Sequence, residues 1–80
     1  MSILAIDLDA TAVDVRLDAD MLRVALADGR ELAVPLEWFP RLRDATPGQK
    51  DNWRLIGRGQ GIHWPDVDED LSVASLLRLN

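Results

Sequence analysis

Residues 13–36 alternate apolar and polar side chains almost without a break, and that alternation restricts the chain more than any other feature. Val13, Val15 and Leu17 point one way, and Asp14, Arg16 and Asp18 the other. After Ala19-Asp20 the pattern resumes in Leu22, Val24 and Leu26, and it repeats in Leu32, Val34 and Leu36. A period of two belongs to strands, because successive side chains there face opposite sides of a sheet. Asp28-Gly29 stands between the second and third runs. It suits a two-residue type I′ turn, which needs positive φ at both positions. The three runs therefore predict an antiparallel meander with one face on a core and one in water.

A chain of 80 residues is one domain and has little surface to spare for a core. It has no cysteine, so neither a disulfide nor a thiolate metal site can help it fold. Packing must do the work, and three tryptophans in a 48% apolar chain supply the area. Nine basic against fourteen acidic residues give a net charge of −5. Nucleic-acid affinity rests on neutralising phosphates, so this balance argues against it without excluding a local basic patch. Leu4, Ile6 and Leu8 alternate with Ala5 and Asp7, which fits an extra strand or an N-terminal arm over residues 1–10. The apolar start Met1–Leu8 has neither the basic n-region nor the length of a signal peptide, and it is too short to span a bilayer. A cytoplasmic, membrane-free protein is expected.

Beyond the meander the period changes. Pro35 lacks an amide donor and should end the third strand. Leu36, Phe39, Leu42 and Ala45 recur at helical spacing, and Pro40 is tolerated only in a first turn. A short helix over Trp38–Asp44 follows from that. Thr46-Pro47-Gly48-Gln49 has the form of a capping box and predicts a helical turn over Pro47–Asn52. Trp53, Leu55 and Ile56 suggest a short strand, Gly57–Gly61 a loop, and Ile62-His63-Trp64 an extended partner for that strand. Ser72 is a good N-cap for a last helix, Val73–Leu79, with Leu71 and Leu76 placed as a hydrophobic staple. Leu76, Leu77 and Leu79 should form its buried side. Asp68, Glu69 and Asp70 lie just before that helix, where negative charge suits its positive end. The fold class is α+β: an N-terminal antiparallel β-meander, short helices, a small extended pair and a C-terminal helix.

The stretch Gly57–Leu71 holds the unusual residues: three glycines, the only histidine, Trp64, Pro65 and four acids. Asp66, Asp68 and Asp70 resemble half of a calcium loop, but that loop needs glycine at its sixth position and glutamate at its twelfth. Leu71 and Leu77 stand there. His63 with Asp66 or Asp68 falls short of a zinc ligand set. Gly57-Arg58-Gly59-Gln60-Gly61 lacks the Lys-Ser/Thr pair of a phosphate loop, and Ile62 takes the third glycine's place in the dinucleotide pattern. Arg54 and Arg58 beside Trp53 and Trp64 would suit base stacking, but two arginines are a thin basis. No catalytic residue, metal ligand or cofactor is expected. Surface recognition remains, with Trp38, Arg58, His63, Trp64, Asp66, Asp68 and Asp70 as candidate partner-binding residues. An enzyme using His63 and Asp68 as acid–base groups, hydrolase-like in kind, is the alternative, and a weak nucleic-acid-binding module comes third.

Several separated motifs together resemble a known family. They are Asp28-Gly29-Arg30, Val34-Pro35-Leu36, Trp38-Phe39-Pro40-Arg41-Leu42, Ala45-Thr46-Pro47 and Asn52-Trp53. The last is Gly61-Ile62-His63-Trp64-Pro65 with Asp68-Glu69-Asp70-Leu71-Ser72-Val73 and Leu76-Leu77. Over residues 12–78 this resembles the bacterial family of domains of unknown function DUF2442. The resemblance implies a small α+β domain. Family members look like partners of small toxin-like proteins encoded in gene pairs, and some carry an added helix-turn-helix domain. It thus implies an antitoxin-like or regulatory role, with the product of an adjacent gene as protein partner and a homo-oligomer left open. This chain ends at Asn80, with no room for a DNA-reading helix pair, so direct operator binding is not expected. The acidic run Asp66–Asp70 would suit a basic partner.

Overall fold

The computed structural model describes residues 7–79. The expected strand or arm over residues 1–10 lies mostly outside that range; Leu8 is exposed. Three strands, β1 (Ala12–Leu17), β2 (Met21–Leu26) and β3 (Glu31–Pro35), form an antiparallel sheet in the order β1-β2-β3. Val15 pairs with Val24, Leu22 with Val34 and Val24 with Leu32, so one face is apolar and buried. The outer face is charged. Arg16 and Arg23 both reach Glu31, and Arg23 also pairs with Asp18. The meander forms as its alternation predicts, with two corrections.

The first concerns Val13, which does not share a face with Val15. The register slips between Ala12 and Asp14, leaving Val13 as the extra residue of a bulge and 56% exposed. Ala12 takes the inward position instead. A bulge adds one residue and reverses which neighbours point inward. The second concerns the β2–β3 turn, which has a three-residue loop, Ala27-Asp28-Gly29. Leu26 N–H donates to Arg30 O at 2.8 Å and Gly29 N–H to Leu26 O at 3.1 Å. Only Gly29 has positive φ, at 95°, so the two-residue form is not adopted. The Asp28 carboxylate organises this corner. It accepts from Arg30 Nη2 at 2.8 Å and from Asp9 N at 2.9 Å.

The chain leaves β3 through a 3₁₀ turn, Leu36–Trp38, and enters α1 (Pro40–Arg43). The expected helix over Trp38–Asp44 is thus shorter, because Pro40 occupies its first turn and Phe39, at φ −129°, precedes it as N-cap. α2 (Pro47–Asp51) carries the full capping box. Gln49 N–H donates to Thr46 Oγ1 at 3.2 Å, and Thr46 N–H to Gln49 Oε1 at 3.0 Å. A second antiparallel sheet follows: β4 (Arg54–Ile56), β5 (Gly61–Trp64) and β6 (Glu69–Ser72), with β5 central. α3 (Val73–Leu79) closes the chain. Ser72 Oγ caps it by accepting from Ser75 N at 3.0 Å.

β6 is a further correction. Of the acids before the last helix, Glu69 and Asp70 sit in a strand, Trp64 pairing with Glu69 and His63 with Asp70. Leu79 is another, being exposed rather than on the buried side of α3. One apolar cluster unites the two sheets with α1 and α3. Leu22, Val24, Val34, Leu36, Leu42, Ile62, Trp64 and Leu76 form its least accessible part.

Candidate functional site

The glycine loop has a structural cause. It makes a 3₁₀ turn over Gly57–Gly59 in which Arg58 is left-handed, at φ 58° and ψ 40°. Gly59, at φ +85°, is buried against the start of β1. A Cβ there would stand 2.7 Å from the Ala12 carbonyl oxygen and 3.1 Å from Thr11 Cβ. Both the conformation and the close approach demand glycine. Gly61 is also crowded, lying under the Ile56 side chain of the neighbouring strand. The loop is a packing joint between the two sheets.

Alternation along β5 decides where the candidate residues point. Ile62 and Trp64 face the core and are fully buried. Trp64 Nε1 donates to Lys50 O at 3.1 Å, which satisfies the indole and ties β5 to α2. Trp64 therefore offers no surface to a partner, in contrast to its expected role. His63 lies on the opposite face, half-buried, in a row between Arg54 of β4 and Asp70 of β6. Its Nδ1 is hydrogen-bonded to Asp70 Oδ1. The carboxylate beside the histidine is Asp70 rather than the expected Asp68.

Pro65–Asp68 forms the turn between β5 and β6. Asp68 takes positive φ, at 50°, which aspartate tolerates better than most residues. Two side chains missed in the sequence hold this turn. Arg41 Nη1 donates to Asp68 O at 2.8 Å, and Asn52 Nδ2 donates to Asp66 Oδ2 at 2.9 Å. Both fall in stretches that carry the family resemblance, but neither has a local pattern that names its partner. Arg41 is one of three cations within a short polar stretch, and Asn52 merely follows a helix. Only the folded topology pairs them with residues so far along the chain.

The seven candidates thus separate. Asp66 and Asp68 share the turn, and His63 and Asp70 form a cross-strand pair. Arg58 sits at the far end of the β4–β5 hairpin, about 13 Å of strand away from that turn. Trp38 is 49% exposed on the 3₁₀ turn before α1, the helix whose Arg41 grips the turn at Asp68. Among the described residues, no three His, Asp or Glu side chains are grouped to hold a metal ion. Nor is any helix long and apolar enough to cross a membrane. His63 lines none of four surface cavities of about 320–440 Å³.

Comparison with known proteins agrees with this architecture. A crystal structure of a protein of unknown function from Rhodospirillum rubrum is similar, with a TM-score of 0.73 and 30% identity. The match covers 85% of this chain and 84% of that one. No curated protein matches. Residues 12–80 match the family described as protein of unknown function, DUF2442, from the first strand to the last residue. The chain belongs to the DUF2442 family.

Proposed function

We propose that this domain acts in the cytoplasm by binding another protein, as an antitoxin-like or regulatory partner of a small basic protein, without catalysis of its own. One observation carries the reading. Trp38, one of three tryptophans, leaves half its surface in water in a chain with little apolar area to spare, whereas Trp64 is fully buried. Exposed tryptophans are enriched in interface hot spots. The segment bearing Trp38 is also fastened to the acidic turn 65–68 through Arg41, which ties the two segments together. A net charge of −5 favours a basic partner.

The test is capture of the purified product of the adjacent gene by the purified chain, followed by titration. Trp38→Ala should weaken the complex by roughly thirtyfold, the effect of losing a hot spot. The reading fails if the wild-type chain captures nothing, or if Trp38→Ala binds as tightly as wild type. A second reading, acid–base catalysis, has the His63–Asp70 hydrogen bond in its favour, since a carboxylate can orient an imidazole. It would displace the first if His63→Ala abolished a measured turnover while partner capture stayed unchanged.

A further inference from the structure

We propose that a cavity bordered by Glu37, the residue before Trp38, receives a lysine or arginine side chain of a basic partner protein. The proposal deepens the protein-binding reading and rests on it. The cavity, about 440 Å³, lies where the β1–β2 turn meets the exit from β3. Its floor is apolar: Ala19, Met21, Pro35 and Leu36. Met21 and Pro35 are cross-strand partners, and Leu36 N–H donates to Asp20 O at 2.8 Å, so the two walls are joined by backbone.

The rim carries the exposed carboxylates of Asp20 and Glu37. The cation that also lines it, Arg43, is engaged by Asp44 at 2.9 Å. Glu37 adds to the field that raises Arg43. Among the described residues, neither Asp20 nor Glu37 makes an ion pair with a cationic side chain. Two carboxylates, Asp44 and Glu37, thus act on one guanidinium, and Asp20 lines the cavity without a cation of its own among the described residues. An apolar floor under an anionic rim matches one kind of side chain. The methylenes of lysine or arginine bury on the floor while the charged head stays at the rim. A carboxylate or phosphate would be repelled, and a purely apolar side chain would desolvate two carboxylates without return. Glu37 and Trp38 are consecutive, so the rim begins one residue from the exposed indole.

The experiment titrates the full chain, followed by amide NMR, with a blocked Ala-Arg-Ala peptide and with its citrulline counterpart, which keeps the shape but not the charge. Saturable shifts at Ala19, Asp20, Met21, Leu36 and Glu37 are expected with arginine. Binding should weaken roughly tenfold with citrulline or in the Asp20→Asn/Glu37→Gln variant. Both substitutions are at exposed side chains, and an otherwise unchanged amide spectrum verifies the fold. Shifts elsewhere, or equal binding of citrulline, overturn the cavity. Partner capture separates the two levels. Loss in both Trp38→Ala and the double variant supports the cavity. Loss in Trp38→Ala alone overturns the cavity and leaves protein binding standing. No capture by wild type defeats the protein-binding reading, and the peptide titration still decides the cavity.

Discussion

Both sheets have three antiparallel strands, but they are held in different ways. The first has strands of five or six residues, an apolar inner face set by alternation, and ion pairs across its outer face. The second has strands of three or four residues. It depends on what surrounds it. Trp64 is bonded to α2, Arg41 and Asn52 brace the turn between β5 and β6, and Gly59 locks the β4–β5 loop onto β1. A long alternating strand specifies its own register, because a slip of one residue would expose its whole apolar set. A very short strand lacks that resource and takes its register from its neighbours. The first sheet can therefore lose a surface contact with little effect, whereas the second should fail at single residues.

The largest expected effect is at Trp64. Trp64→Ala removes a side chain with no exposure, together with its bond to Lys50, and should cost about 3–5 kcal/mol. That is a large part of the total stability of a domain this size, which is on the order of 4–12 kcal/mol. Urea denaturation measures it, and a loss under about 1.5 kcal/mol would break the contrast between the sheets. Next is Gly59→Ala, which meets both a positive φ and the Ala12 carbonyl and should cost about 1–3 kcal/mol. Gly57→Ala, with its nearest atom at 3.6 Å, should cost less. Reversal of that order would remove the loop's role as a joint.

The smallest effect belongs to the first sheet and appears only in acid. The Arg30 guanidinium, helped by the backbone amides of Arg30 and Asp9, holds the Asp28 carboxyl at about 2, below its ordinary 3.8. A depressed folded value means that ionisation favours the fold. The contribution is fully present above the unfolded value, about 3.9, and is lost as pH falls toward 2. The stability difference between wild type and Asp28→Asn should be flat near neutrality and close between roughly pH 4 and pH 2. Chemical denaturation at stepped pH follows it. A difference that widens in that window would assign the corner to something other than the Asp28–Arg30 pair.

These differences also explain what could be read from the chain. Thr46 and Gln49, Pro40 and Ser72 act through partners within four residues, so their roles follow from spacing alone. The bulge at Val13 leaves no mark, because a valine fits an alternating run whether it is counted in or skipped. β6 was hidden for a related reason. Glu69-Asp70-Leu71-Ser72 has weak strand propensity and is extended because β5 offers it an edge. Of the candidate site, the residues suggest a carboxylate beside His63 but not which one, and the structure supplies Asp70; nothing in the local pattern tells that Trp38 is half exposed while Trp64 is buried. The dispersal of the rest along β5 depends on strand parity and on long-range bonds from Arg41 and Asn52.

The bulge at Val13 has a consequence for how copies of the chain meet. β1 is an outer strand, and an uninterrupted outer strand presents a row of amides and carbonyls on which another chain can add. The extra residue breaks the spacing of that row and bends it. On the other side of the sheet, β3 ends in Pro35, which has no amide to give, and α3 packs beside it. Neither border of the first sheet is thus left in a form that readily templates the addition of another strand.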